Sequence, residues 1–202
     1  SIDFTSLLGA QNQDTVLDFG AGTGAILASL KHAGTRIAVK YRPHARAYLK
    51  KDHPEIVSYK YPEMVPANSV DLVFSTSVVE HVECPIQELR VLGETLRPGG
   101  RIVVGIKNEG VELWRPWQSD NKDNHLYTWN SMLLGNMLRS AGFVVERIMV
   151  QAKNRTQLEE FIVESAFGRK KHTFQYLWAF GHKPLPNDKW PQVGTAPLVN
   201  SS

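Results

Sequence analysis

Residues 16–30 read VLDFGAGTGAILASL: an apolar run, an aspartate, three glycines in five positions, and then an apolar helical pattern. A strand that ends in such a turn and opens a helix aims backbone N–H groups and a positive dipole end at whatever lies above it. That arrangement suits an anionic or polar cofactor. Gly20, Gly22 and Gly24 allow a tight turn and close approach of a ligand, while Ile26, Leu27 and Leu30 recur at helical spacing for packing on a sheet. The stretch parses as GxGxG, or with Ala25 as the GxGxxA of a dinucleotide site, and its spacing alone leaves the nucleotide open. A Walker A loop is excluded, because no GK[ST] follows.

Apolar strands and amphipathic helices continue to alternate after this loop, which predicts a parallel α/β sheet. Further strands are expected at 35–41, 55–61, 70–76, 101–107, 143–150 and 173–183. Helices are expected from Pro43, across 84–96, across 128–142 with Thr128 as N-cap and Gly142 as the C-terminal break, and across 156–168. Pro98, Gly99 and Gly100 read as a stop between the second of these helices and its following strand.

A chain of 202 residues that is 42% hydrophobic supports one ordinary core. We place it in residues 1–183, followed by a Pro-rich tail over 184–202 that holds four of the eleven prolines. A single cysteine, Cys84, excludes a disulfide scaffold, suits a reducing compartment and is expected to be a small buried residue. The first ten residues lack a signal-peptide pattern and no apolar run approaches a bilayer span, so a cytoplasmic protein without a membrane partner is expected. Residues 31–51 hold seven Lys/Arg and no acid, against a net charge of +3. We read them as the solvated face of one strand edge and one helix. No aromatic-interleaved motif accompanies them, so nucleic acid is not expected as a partner.

Four segments, VLDFGAGTG, VDLVFSTSVVEHV, LRPGGRIVVGIKN and HLYTWNSMLLGNMLRSAGF, occur in that order through most of residues 14–183. Together they resemble the motifs of class I S-adenosylmethionine-dependent methyltransferases, and VVEHV narrows the resemblance toward a small-molecule branch. The resemblance implies an α/β, Rossmann-like seven-stranded sheet, mostly parallel with an antiparallel last strand and helices on both faces. It implies S-adenosyl-L-methionine as cofactor and an oxygen or nitrogen of a small molecule as methyl acceptor. Asp18 would orient the loop and its ligand. Phe19, Gly20, Ala21, Gly22 and Gly24 would form the loop, Lys40 and Tyr41 the end of the second strand, Glu63 the adenine side and Ser75 the fourth strand.

Two departures stand out. Where the family usually places an acid that accepts hydrogen bonds from both ribose hydroxyls, this chain has Lys40, which can only donate. The stretch around Glu63 also lacks the aspartate that commonly meets the adenine amine. Three readings of Lys40 therefore stand together: an altered position in a working enzyme, a non-catalytic subunit of the same fold that acts with a protein partner or a second copy, or an NADP-binding Rossmann protein. His81 and His125 are the candidate catalytic residues, since a histidine titrates near neutral pH and can take a proton from an acceptor hydroxyl. Some relatives hold a divalent metal with two acids and the histidine of the EHV segment. Ser77 stands in the place of one acid, so no metal is expected. The aperiodic stretch after the fifth strand holds His125, Tyr127, Trp114, Trp117 and Trp129, and reads either as an acceptor pocket or as a cover.

Overall fold

The structure is a computed structural model whose described residues are 3–108, 119–120, 124–152 and 175–188. Its first strand, β1 (Val16–Phe19), is buried along its whole length, as a parallel strand covered on both faces must be. Around it lie β2 (Arg36–Val39), β3 (Val57–Tyr59), β4 (Val70–Thr76), β5 (Leu96–Lys107), β6 (Val144–Ala152) and β7 (Gln175–His182). The sheet order is β3-β2-β1-β4-β5-β7-β6. The first five strands pair in parallel, and β7 slots antiparallel between β5 and β6. This is the Rossmann-like, mostly parallel sheet with an antiparallel last strand that the motifs implied.

Side chains alternate between the two faces with period two. Leu17, Phe19 and Val73 join Leu89 and Leu92 of α4 (Pro85–Thr95) and Leu134 and Leu138 of α5 (Ser131–Ala141) in one apolar layer. Val16, Ala38 and Phe74 join Leu8 of α1 (Phe4–Leu8), Leu27 of α2 (Ala25–Ser29) and Leu49 of α3 (Pro43–Asp52) in the other. Asp18 pairs in register with Ala38, and Lys40 lies two positions beyond Ala38, so both fall on the α2–α3 face. That placement decides the electrostatics of the site.

Three local expectations are corrected. Asn130, rather than Thr128, caps α5: its Oδ1 accepts from Leu133 N at 2.9 Å, while Gly142 closes the helix in the left-handed region at φ 108° as expected. α4 already ends at Thr95, and the Pro98–Gly100 stretch opens no loop. β5 already begins at Leu96, paired with Val70, shifts register before Arg101, and bonds Gly99 N to Lys183 O at 2.9 Å. Cys84 is exposed, because it is the residue before Pro85 at the mouth of α4 and not part of that helix's apolar stripe. The helix expected at 156–168, Trp114, Trp117 and most of the tail lie outside the described residues. Among the described residues no helix is long and apolar enough to cross a membrane.

Candidate functional site

The three glycines of the β1–α2 loop do different work. A Cβ on Gly20 would come within 2.3 Å of the Val78 side chain, and one on Gly24 within 2.3 Å of Leu49, so these two positions are emptied for packing. A Cβ on Gly22 would meet nothing within 4 Å, although its φ of 44° lies in the left-handed region. Gly22 is thus the point where loop backbone faces open space. α2 has only five residues, which leaves the loop backbone, rather than a helix dipole, as the feature offered to a ligand. Ala21 is buried beneath it, and Phe19 is buried with its ring edge-on to Tyr41 at 6.1 Å. Ser75 Oγ donates to Phe19 O at 3.1 Å and is 1% exposed, so it ties β4 to the end of β1.

Lys40 turns inward. Its ammonium donates to the Gly22 carbonyl and is buried at 8% exposure, while Arg46 Nη1 holds the Lys40 carbonyl at 2.6 Å. Asp18 lies beside it, 3% exposed, and its Oδ1 has no hydrogen-bond partner among the described residues. Burial pushes the Asp18 carboxyl up to about 8, opposed in part by the Lys40 charge. Burial also draws Lys40 down, opposed by Asp18.

A pH signature follows from Asp18. Its carboxyl ionises near 3.8 in the unfolded chain and near 8 in the folded one, so across that window the folded state binds the proton more tightly and stability falls as pH rises. Lys40 acts the other way, but only above its own lowered value and up to 10.5. The melting temperature of the parent chain should therefore drop between about pH 5.5 and pH 8 more steeply than that of Asp18→Asn. Parallel melting curves in the two proteins would show that Asp18 ionises as an ordinary surface acid.

At the end of β2, Tyr41 packs edge-on against Tyr61 at 5.4 Å and donates to Glu88 Oε2 at 3.2 Å. Burial, then the charge of Glu88, raises the Tyr41 hydroxyl above its usual range, with Glu63 adding to it. Glu88 is itself raised, chiefly by burial. Glu63 sits exposed on the turn Pro62–Met64. Sequence reasoning missed Glu88, whose one signal is an acid in the first turn of α4.

Beyond β4 the chain turns through Ser77, at φ 51°, whose hydroxyl pairs with Tyr176 Oη at 2.7 Å from β7. The short turn Val79–His81 then places Glu80 inward at 1% exposure and His81 outward. His125 returns over this turn, its ring edge-on to His81 with centroids 4.7 Å apart. The two candidate catalytic histidines are therefore brought together. Tyr127 donates to Glu83 O at 2.5 Å, and Trp129 is buried in the α4–α5 layer. A mainly apolar cavity of about 610 Å³ starts at Glu83 and Cys84, passes Tyr127 and Trp129, and runs between α4 and α5.

A family model described as "Methyltransferase domain" matches residues 2–148. The chain belongs to that family. It is a class I methyltransferase fold, and the NADP reading falls away with it. Among curated proteins, the biotin biosynthesis bifunctional protein BioHC of Cellvibrio japonicus is 31% identical over 119 residues, covering 55% of this chain and 23% of that protein. The tRNA U34 carboxymethyltransferase of a Shewanella species is 30% identical over 103 residues, covering 46% of this chain and 31% of that enzyme. The chain thus spans less than a third of either relative. Among solved structures, the complex of the Haloferax volcanii Trm112 methyltransferase activator with a methyltransferase aligns at TM-score 0.67 and 20% identity, covering 90% of this chain and 87% of the other. An S-adenosylmethionine-dependent methyltransferase from Mesorhizobium loti aligns at TM-score 0.63 and 17% identity, covering 88% and 95%. At these identities the structures speak for the fold.

Proposed function

We propose that this chain binds S-adenosyl-L-methionine over the β1–α2 loop and transfers its methyl group to an oxygen or nitrogen of a small molecule. The carrying observation is the open backbone at Gly22 beside the buried Asp18, whose Oδ1 is left unpartnered. Asp18, Gly20, Ala21 and Gly22 would hold the amino-acid end of the cofactor, and Tyr41 with Glu63 the nucleoside end. Phe19, Gly24 and Ser75 support the loop from beneath. When bound, the cofactor supplies a methyl group already activated by its sulfonium. The chain's task is then to position and desolvate an acceptor. His81 or His125 would take a proton from an acceptor hydroxyl, and the apolar cavity that begins two residues beyond His81 would hold the acceptor's body.

Calorimetric titration with S-adenosylhomocysteine tests this reading. A dissociation constant of about 100 μM, two orders weaker than a micromolar site, fits a loop without a ribose acceptor. The absence of both heat and thermal shift at millimolar ligand would remove the reading.

Lys40 favours a second reading. Its ammonium already occupies the Gly22 carbonyl, which supports a non-catalytic subunit that keeps the fold for a protein partner, as the methyltransferase–activator complex keeps two proteins together. Robust methyl turnover by the isolated chain would sink it. A tRNA acceptor is not proposed, although one relative is named for tRNA. Of the seven basic residues in 31–51, Arg36 is paired with Glu55 at 3.7 Å, while Lys40 and Arg46 are spent on backbone carbonyls. RNA should bind in filter assays no tighter than about 1 μM at roughly physiological salt.

A further inference from the structure

We infer that Glu80, His81 and His125 form a binding site for one divalent first-row transition-metal ion. One ligand atom from each, a carboxylate oxygen and two imidazole nitrogens, all lie within 4.8 Å of one another. Donors at about 2.0–2.2 Å from a tetrahedral ion stand about 3.4 Å apart, so small side-chain rotations complete the set. The backbone is already fixed to present it. Ser77 N donates to Gly105 O at 2.9 Å as the chain leaves β4, and His81 N donates to Val78 O at 2.9 Å to close the turn that carries both Glu80 and His81. From the other side, Leu126 N donates to Glu80 O at 2.9 Å and pins the neighbour of His125 directly over that turn. The segment with His125 is thus docked on the segment with Glu80 by main chain, independently of any ion.

The donor chemistry selects the ion. Two imidazoles and one carboxylate suit zinc, manganese, iron or cobalt, whereas magnesium and calcium prefer oxygen throughout. Three protein ligands leave a coordination position for an exogenous oxygen or nitrogen, as open sites do and closed structural sites do not. Val78, next to this turn, packs on Gly20, which puts the ion at the same sheet edge as the glycine loop. The expectation of no metal rested on Ser77. His125 supplies the third donor from a segment that the spacing of VVEHV could not reveal. When the ion is bound, the two imidazoles coordinate it in place of taking a proton. The ion shares its two histidines with the base proposed for methyl transfer, but its binding does not require S-adenosylmethionine and is measured without it.

Metal-stripped chain titrated with zinc chloride, with elemental analysis after dialysis, gives the test. One equivalent should bind, and cobalt substitution should give visible absorption bands of a low-coordinate site. Glu80→Gln and His125→Gln should each weaken zinc binding by about tenfold or more. His44→Gln, on exposed α3, should leave it unchanged, and millimolar magnesium should not compete. Circular dichroism establishes that each variant is folded. Absence of stoichiometric zinc in the parent chain, or zinc binding that survives the combined loss of His81 and His125, would overturn the site, as would an equal loss in His44→Gln. Binding of S-adenosylhomocysteine is measured separately, so failure of either site leaves the other standing or falling on its own titration.

Discussion

Lys40→Glu is expected to tighten S-adenosylhomocysteine binding by at least about tenfold, which takes only ~1.4 kcal/mol. The substitution does two things at once. It removes the ammonium that occupies the Gly22 carbonyl, and it introduces a carboxylate able to accept from two ribose hydroxyls. Charge-assisted hydrogen bonds of that kind contribute about 1.5–3 kcal/mol each before desolvation. Against this stands the new carboxylate's proximity to Asp18, whose carboxyl is already raised by burial and loses the opposing Lys40 charge. Lys40→Ala separates the effects, since it clears the carbonyl without adding an acceptor. Its gain should be smaller for S-adenosylhomocysteine and larger for S-adenosylmethionine, because a bound sulfonium would escape repulsion by a like charge. If Lys40→Glu binds no better than Lys40→Ala, the ribose does not lie at the end of β2. If neither binds better than the parent in folded protein, Lys40 is not what limits the site.

The strand pattern was legible because period two and burial on both faces leave few alternatives for β1, β4 and β7. Lys40 was also legible as a donor in an acceptor's place. Its direction was not, because that depends on sharing a sheet face with Asp18, which only the β1–β2 register decides. Likewise, three glycines in five positions looked equivalent, while in space Gly20 and Gly24 answer to Val78 and Leu49, and Gly22 alone answers to open space. Contacts between distant segments were beyond reach in principle. Ser77 meets Tyr176 across 99 positions, and His81 meets His125 where Leu126 N bonds to Glu80 O and Tyr127 to Glu83 O. The N-cap fell two residues late for a smaller reason: Thr128 and Asn130 are both good caps, and the apolar period at 133–138 does not distinguish their turns.

Gly105→Ala is expected to destabilise the fold by about 2–3 kcal/mol, the upper part of the ~1–3 kcal/mol range for forcing a carbon into a packed core. At this chain length that lowers the melting temperature by roughly 5–10 °C. An added Cβ would come within 2.3–2.7 Å of three atoms of the Trp178 ring, which is 1% exposed. That ring has nowhere to go: its Nε1 donates to Gln151 Oε1 at 2.7 Å, Tyr176 stacks on it at 5.9 Å, and Phe4 meets it edge-on at 6.1 Å. Displacement would also pull Tyr176 from Ser77 and loosen the turn that carries Glu80 and His81. Gly135→Ala is the counterpart, because its Cβ would meet only Ile148 at an ordinary 3.7 Å inside α5. Removing a helical glycine there should stabilise by roughly 0.5–1 kcal/mol. The two alanines thus carry opposite signs for one physical reason, the space each meets. In a Trp178→Leu background the Gly105→Ala cost should fall below about 1 kcal/mol, since contacting residues are non-additive. An undiminished cost in that background would place the strain elsewhere along β5.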